Sequence, residues 1–184
     1  MRIVAGEYRS RIIKAVPGDG TRPTTDKIKE AIFSRIGPYF HGGMMLDLFG
    51  GSGNMGLEAI SRGIQKVYFV DHHSLAIKTI KENVTSLQVE KQCMIWKMDY
   101  KKALQQAYEH KLCFDIIFLD PPYRKQQISS ILTFIDEHQL LRENGQIICE
   151  SLKEDIFEDT YQNFEKVKDS TYGITRITYY EGKK

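Results

Sequence analysis

The stretch Asp47-Leu48-Phe49-Gly50-Gly51-Ser52-Gly53 decides the fold of this chain. Its first residues form the end of an apolar, strand-like run over residues 44–49. The pattern that follows predicts a helix beginning at Asn54. The glycines let the backbone turn sharply and leave no Cβ between the backbone and a ligand. A strand, a glycine-rich turn and a helix in this order are typical of an open α/β sheet.

Strand-like and helix-like segments continue to alternate after this turn. The predicted strands are residues 44–49, 67–70, 94–98, 114–119 and 146–149, and helices are predicted from Asn54, from Ser74, from about Tyr100 and through 131–137. Two further strands, residues 164–168 and 174–180, flank a turn and predict a C-terminal antiparallel hairpin. The pattern therefore predicts an α/β fold, with a mostly parallel seven-stranded sheet and helices on both faces.

Residues 1–40, called here the N-terminal arm, precede this alternation. Residues 1–5 and 11–16 are rich in β-branched side chains and flank a polar turn, which predicts a small β-hairpin. After a loop, Thr24 or Thr25 can cap a helix whose apolar positions recur at helical spacing up to Ile36. The arm thus adds a hairpin and a helix to the predicted sheet.

Charge is distributed unevenly along the 184 residues. The 26 basic and 24 acidic side chains leave a formal net charge of only +2, but the arm alone holds eight basic and four acidic groups. This asymmetry indicates a basic arm suited to a polyanion, and the alternative is a solvated basic face. The candidate phosphate contacts are Arg2, Arg9, Arg11, Lys14 and Arg22.

Several classes of protein are disfavoured by the remaining composition. The cysteines, Cys93, Cys113 and Cys149, are widely spaced, which argues against a disulfide framework and a metal knuckle. The five histidines suggest no metal set, and the adjacent His72 and His73 are expected to point in different directions. No run approaches the ~20 apolar residues of a membrane span, and no secretion signal is recognisable. We expect a soluble, cytoplasmic monomer.

The glycine-rich turn predicts a seat for a cofactor that contains a nucleoside. Gly51, Gly53 and Gly56 match the dinucleotide fingerprint between a strand and a helix. Asp71 ends the next strand twenty residues after Gly51, where a carboxylate can bind ribose hydroxyls. A tight turn of purely structural purpose is the alternative.

Asp47 distinguishes between the cofactors that such a turn can hold. A carboxylate at this strand end repels a pyrophosphate but attracts the ammonium group of a methionine-derived ligand, which favours S-adenosylmethionine over a dinucleotide. In its acidic-x-aromatic-x-Gly-x-Gly loop the chain resembles class I methyltransferases, which have a Rossmann-like fold.

The resemblance to class I methyltransferases implies roles for individual residues. The loop that holds the methionine portion corresponds to Asp47, Phe49, Gly51, Ser52 and Gly53. Asp71 corresponds to the acid that takes the ribose, and Asp99 to the acidic residue beside the adenine. For Asp99, a helix N-cap is an equally good interpretation.

A second motif, Asp120-Pro121-Pro122-Tyr123, follows the buried-type strand at 114–119. Two prolines stiffen the backbone and remove two N–H donors, so carbonyl groups and the Asp120 side chain can accept hydrogens from an amino group. Tyr123 can stack on a heterocycle. We expect these four residues to hold a planar amine for methylation, with Asp120 stabilising the charge that develops on nitrogen. The alternative is a rigid turn in which Asp120 caps a helix.

Methylation of a pyrimidine ring carbon is a different chemistry that the sequence disfavours. Enzymes that perform it commonly use a cysteine thiolate that follows a proline. Gln92, Leu112 and Ile148 precede the three cysteines here. The cysteines are therefore expected to be small apolar residues of the core.

The N-terminal arm carries a closer resemblance. Motifs of the Asp120–Tyr123 kind resemble those of enzymes that methylate base amines or a glutamine amide. Residues 1–9 and 18–31, with the stretches at 46–63 and 114–123, are similar to the bacterial 16S rRNA (guanine(966)-N(2))-methyltransferase family. Gly50 stands where that family is expected to have alanine.

This resemblance implies a methyltransferase domain at residues 41–184 and an arm at 1–40 that engages 16S rRNA, free or within small-subunit particles. Modest net charge suggests that shape and an extruded base contribute to recognition. Methylation of adenine N6 or of a protein amide remains an alternative. A dinucleotide-dependent oxidoreductase leaves Asp120–Tyr123 unexplained, and a catalytically silent RNA-binding module uses the arm alone.

Overall fold

A computed structural model describes residues 1–18, 24–122 and 124–184. The strands are β1 Met44–Asp47, β2 Lys66–Asp71, β3 Cys93–Lys97, β4 Phe114–Leu119, β5 Leu141–Leu152, β6 Phe164–Tyr172 and β7 Thr175–Gly182. The helices are α1 Asp26–Ile36, α2 Asn54–Ser61, α3 Ser74–Leu87, α4 Tyr100–Glu109 and α5 Arg124–Glu137, with a 3-10 turn at Glu90–Gln92. No helix in the described ranges is long and apolar enough to cross a membrane.

The seven strands form one sheet in the order β3-β2-β1-β4-β5-β7-β6. The pairs β1–β2, β2–β3 and β4–β5 are parallel, whereas β5–β7 and β6–β7 are antiparallel. The predicted fold class, a mostly parallel sheet with a C-terminal antiparallel hairpin, is confirmed. The chain divides into two compact units, Met1–Tyr100 and Lys101–Lys184.

In the first unit, β1 to β3 supply the core and end at the same edge of the sheet. Leu46, Val67 and Phe69 are fully buried, and Ile80 of α3 is buried with them. Helix α1 begins after Thr25, whose hydroxyl accepts the Ile28 N–H as an N-cap. The predicted beginnings of α2 at Asn54 and α3 at Ser74 are confirmed.

The predicted N-terminal hairpin is present as an antiparallel pairing, although it contains only one bridge, Arg2 to Ile12. The pairing is short because its backbone groups bind side chains of other elements. The N–H groups of Val4 and Ala5 donate to the Glu58 carboxylate at 2.8 and 3.0 Å. Arm residues therefore anchor to α2 instead of extending their own ladder.

In the second unit, β4 has the predicted bounds, but β5 begins at Leu141 rather than at residue 146. The register between β4 and β5 shifts between Phe114 and Ile116, and Asn144 has a φ of +61°. Sequence periodicity does not reveal an irregular strand of this kind, because its side chains depart from the two-residue alternation of a regular strand. The hairpin strands β6 and β7 are also longer than predicted, and they turn at Gly173, whose φ is +61°.

Candidate functional site

The residues between β1 and α2, Leu48 to Gly53, form a turn called here the glycine loop. Gly51 and Gly53 have φ values of +58° and +87°, which L-residues with a Cβ rarely adopt. A Cβ placed on Gly51 meets no other atom within 4 Å, so this position faces open space. A Cβ on Gly56, by contrast, would collide with the Phe69 ring. One glycine leaves room for a ligand, and another lets α2 pack on β2.

Asp47, at the end of β1, lies directly beneath this loop. Its side chain is buried, and one oxygen accepts the Gly56 N–H at 3.2 Å. Burial raises the pKa of Asp47 to about 7; the Gly56 hydrogen bond opposes this increase, and the nearby Asp71 charge adds to it. A cationic group at this position will favour the ionised carboxylate and lower that pKa.

Asp71, at the end of β2, orients the other side of the loop. Its Oδ2 accepts the Gly51 N–H at 3.0 Å, and its Oδ1 accepts the His73 N–H at 3.0 Å. The side chain is 13% exposed, so it borders solvent while two backbone donors fix its direction. A carboxylate held in this way keeps lone pairs for the hydroxyls of a ribose.

His72 and His73 correct one prediction. Their rings do not point in different directions, because their centroids lie 3.9 Å apart. His72 lies in the bend after β2 and His73 is the N-cap residue of α3, so the alternation of a strand no longer applies to them. Possible ligand atoms of Asp71, His72 and His73 lie within 4.8 Å of one another. Both rings are exposed, and His73 Nδ1 lies 3.3 Å from Asp71 Oδ1.

Phe49, an aromatic residue of the glycine loop, packs against a second aromatic side chain. The ring centroids of Phe49 and Tyr100 are 5.5 Å apart, and both residues are partly exposed. Tyr100, which the sequence did not single out, joins Phe49 as an apolar surface for a planar group. Asp99 is exposed directly before α4. Its two interpretations, adenine contact and helix cap, both suit that position.

These residues fit S-adenosylmethionine. The open space at Gly51 is the cradle that a Cβ would narrow, Asp71 accepts the Gly51 N–H, and Asp47 accepts the N–H of Gly56 at the start of α2. Asp47 would hold the ammonium group, and Asp71 would hold the ribose hydroxyls. Two groups of Ser52 already have other partners. Its hydroxyl lies 3.8 Å from Met1 Sδ, and its carbonyl accepts a hydrogen bond from Asn83. The contact of Ser52 with the cofactor stays a prediction.

The acceptor motif, residues 120–123, leaves the carboxyl end of β4 in the second unit. Asp120 is partly exposed, Pro121 is buried and Pro122 is exposed. The buried first proline anchors the turn while the second faces solvent, so the backbone around Asp120 is stiff. Tyr123 lies outside the described residues.

Four of the five predicted phosphate contacts are exposed on the arm. Arg2 pairs with Asp26 at 2.9 Å and Lys14 with Glu82 at 3.2 Å, whereas the Arg11 guanidinium donates to the Ser86 carbonyl at 2.8 Å. Exposed ion pairs contribute little to stability, so these cations can exchange their partners for phosphates. Arg22 lies outside the described residues.

The sequence did not predict the buried charges that hold the arm. Lys29 Nζ lies 3.1 Å from Glu58 Oε1, and Arg62 Nε lies 2.9 Å from Glu58 Oε2. Burial lowers the pKa of Lys29, and the Glu58 charge opposes that decrease. The helical pattern of α1 singled out only its apolar positions. A lysine beside them carries no local signal of the glutamate 29 residues away that neutralises it.

Comparison with known proteins adds to this geometry. The chain is 44% identical over 181 residues to "Putative rRNA methyltransferase YlbH" of Bacillus subtilis, covering 98% of each chain. It is 31% identical over 182 residues to "Ribosomal RNA small subunit methyltransferase D" of Haemophilus influenzae, covering 98% of this chain and 93% of the relative.

Solved structures of other proteins also resemble this chain. The fold resembles the "putative methylase HI0767" of Haemophilus influenzae with a TM-score of 0.83 and 28% identity, covering 100% of this chain and 98% of the other. The structure titled "Putative methyltransferase yhhF from Escherichia coli" has a TM-score of 0.86 at 22% identity, with the same coverage, and shares the fold. A family model described as "Conserved hypothetical protein 95" matches residues 1–181. The chain therefore belongs to this family, that of the RsmD-type methyltransferases.

Proposed function

We propose that this protein transfers a methyl group from S-adenosylmethionine to the exocyclic N2 amine of a guanine in 16S rRNA. The observation that carries the proposal is that two strand-end carboxylates bind the backbone around the glycine loop. Asp71 accepts the N–H of Gly51, which faces open space, and Asp47 accepts the N–H of Gly56. Relatives named as rRNA methyltransferases, one of them a small-subunit enzyme, support rRNA as the substrate class. Guanine N2 rests on the resemblance of the arm to the guanine(966) family.

The cofactor side of the reaction belongs to the first unit. When bound, S-adenosylmethionine supplies an electrophilic methyl group on a positively charged sulfur. The ionised Asp47 holds the ammonium end, and Asp71 holds the ribose. Because backbone N–H groups already orient Asp71, binding does not need to order this side chain. Phe49 and Tyr100 present their apolar faces beside the ligand.

The acceptor side belongs to Asp120 and the two prolines. The lone pair of an exocyclic guanine amine is delocalised into the ring, so the amine must be oriented before it can attack. Asp120 accepts one N–H hydrogen, and a carbonyl of the proline turn accepts the other. As the C–N bond forms, the bond between the methyl carbon and the donor sulfur breaks and its electron pair stays on sulfur, giving S-adenosylhomocysteine. Positive charge thereby moves to nitrogen, where the Asp120 carboxylate stabilises it. The nitrogen then loses a proton to Asp120 or to water.

The decisive experiment is methyl transfer with a labelled donor. The acceptors are unmodified small-subunit particles and naked 16S rRNA, followed by nucleoside analysis. We expect N2-methylguanosine at a single position. Labelled N6-methyladenosine would move the acceptor to adenine, and label in protein would exclude RNA as the acceptor. Comparing the two substrates also tells whether the enzyme acts on folded particles or on free RNA.

A dinucleotide-dependent oxidoreductase is tested by a binding measurement. Asp47 disfavours a pyrophosphate at this strand end. S-adenosylhomocysteine is therefore expected to bind and NAD is not, and the opposite result would contradict the proposed function. A cytoplasmic location and a monomeric state belong to the same proposal. Sedimentation of the protein with and without rRNA tests the oligomeric state.

A further inference from the structure

Asn83 joins the arm to the glycine loop through one buried side chain. Its Nδ2 donates to the carbonyl of Lys14 at 3.0 Å and to the carbonyl of Ser52 at 2.9 Å. Its Oδ1 accepts the Lys14 N–H at 2.8 Å. Asn83 is only 1% exposed, so water does not compete for these bonds. One amide group thus fixes a residue of the arm and a residue of the cofactor seat together.

A second connection runs parallel to the first. Lys29 Nζ donates to the Arg2 carbonyl at 2.7 Å and to Asn54 Oδ1 at 2.8 Å. Asn54 is the first residue of α2 and directly follows the glycine loop. The arm therefore contacts the loop near Ser52 and again at its end.

Two of the candidate phosphate contacts, Arg11 and Lys14, lie close to the Asn83 connection. Lys14, whose backbone Asn83 holds, places its ammonium against Glu82, the neighbour of Asn83 on α3. Arg11 reaches the Ser86 carbonyl at the end of the same helix. A phosphate that binds Arg11 and Lys14 would restrain the backbone of Lys14. The Asn83 side chain joins that backbone to Ser52.

We propose that Asn83 is a positioning residue that couples RNA binding by the arm to cofactor binding by the glycine loop. RNA that immobilises the arm immobilises Ser52 through Asn83, so the cofactor binds a loop that is already ordered. Thermodynamic linkage makes the effect reciprocal, and the cofactor increases RNA affinity by the same factor. This inference rests on the proposed function for the identity of the RNA ligand.

The first measurement uses the wild-type protein and no RNA. Hydrogen exchange is followed in residues 1–16 with and without S-adenosylhomocysteine. We expect the cofactor product to slow exchange in the arm, around Lys14, as well as in the glycine loop. Protection confined to the loop would overturn the coupling.

The second measurement uses Asn83→Asp, which keeps the size and the Oδ1 acceptor but turns an oxygen toward the carbonyls of Lys14 and Ser52. In the wild type, unmodified 16S rRNA is expected to increase S-adenosylhomocysteine affinity about 10-fold, within the usual range of coupling. In Asn83→Asp this factor should fall close to one. The KM values for donor and RNA should rise, while kcat at saturation stays within about 3-fold, because Asp120 is unaltered.

The control is Thr79→Val on the same helix. Thr79 is also buried, and its hydroxyl donates to the Leu75 carbonyl within α3 at 2.8 Å. The control should retain the wild-type coupling factor. Wild-type coupling in Asn83→Asp would overturn the inference, and if that variant does not fold, the wild-type exchange experiment decides. A protein that binds no rRNA, yet shows cofactor-dependent protection of the arm, contradicts the proposed function and supports the coupling.

Discussion

The proposed cofactor seat and the proposed acceptor motif are built by different physical means. In the seat, Asp47 is buried under the glycine loop and Asp71 accepts two backbone N–H groups, so hydrogen bonds within the first unit set its geometry. In the acceptor motif, Asp120 is partly exposed, and the neighbouring prolines restrict the backbone. Hydrogen bonds of the folded chain therefore position the two carboxylates of the seat, whereas the acceptor side stays accessible to an incoming base. This contrast predicts that mutations in the two regions affect different quantities.

The largest effect is expected from Asp120→Ala. Removing the carboxylate takes away an acceptor for the amine and the negative charge near nitrogen, so methyl transfer should fall by about 10³-fold. The affinity for S-adenosylhomocysteine should not change. Single-turnover transfer and calorimetric binding measure the two quantities separately. Asp120→Asn keeps one acceptor oxygen, and its rate of methyl transfer should be intermediate. Equal losses of cofactor binding and turnover in Asp120→Ala would contradict the difference between the two regions.

Asp47→Asn tests the cost of burying a carboxylate in the seat. In the folded protein the pKa of Asp47 is about 7, above the ordinary value of 3.8, so folding favours the protonated carboxyl. The stability that this provides is complete below pH 3.8 and is lost as the pH rises through 7. The variant should therefore gain about 2 to 4 kcal/mol over wild type at pH 8, and the gap should close towards pH 4.

Denaturant unfolding at pH 4, 6 and 8 measures this gap. The same variant should bind S-adenosylhomocysteine more weakly, because the ammonium group loses its partner. A stability difference that does not vary with pH would show that Asp47 is not the titrating group. Leu48→Ile, at the next position in the chain, is the control for a change of packing without charge.

Asp71→Ala should weaken cofactor binding about 10- to 100-fold, the range for losing hydrogen bonds to a charged group. Because Asp71 also accepts the Gly51 N–H, part of the loss will reflect a less ordered loop. At saturating donor, kcat should stay near wild type, since Asp120 is intact. A fall in kcat with unchanged affinity would place Asp71 on the acceptor side and contradict the proposed seat.

The smallest effect is expected on the arm. Replacing Arg9 and Arg11 by glutamine should lower rRNA affinity several-fold and reduce the slope of log affinity against log salt by about 1.5. Titrations at several salt concentrations measure the slope. Lys153→Gln with Lys168→Gln removes the same charge from exposed positions of the second unit and serves as the control. Equal slopes in the two double variants would rule out phosphate contacts at Arg9 and Arg11.

Local rules were sufficient for much of the fold. The beginnings of α2 and α3 and the bounds of β4 agree with the predictions, because glycine turns and apolar periodicity act over a few residues. They failed where backbone groups bind distant partners. The first residues of β5 leave the regular register, and the donors of Val4 and Ala5 bind Glu58 more than fifty positions away.

The candidate site shows the same division. Sequence reasoning selected Asp47, Asp71 and Asp120 because each follows an apolar run, and the structure places each at or directly after the carboxyl end of a strand. It did not find Tyr100 or Asn83. The partner of Tyr100 is Phe49, and those of Asn83 are Lys14 and Ser52, so each contact spans tens of residues. No spacing rule reports such a contact.

The sequence by itself determined the sheet, the glycine loop, the acceptor motif and the basic character of the arm, since all of these follow from residue type and short-range spacing. Only the tertiary structure decided how the arm is held and which charges are buried. Lys29, Glu58 and Arg62 look like ordinary surface residues of helices when read locally. Their burial is tolerated because Lys29 pairs with Glu58 and Arg62 pairs with both Glu58 and Glu30, and the pairs between segments form only when the chain folds.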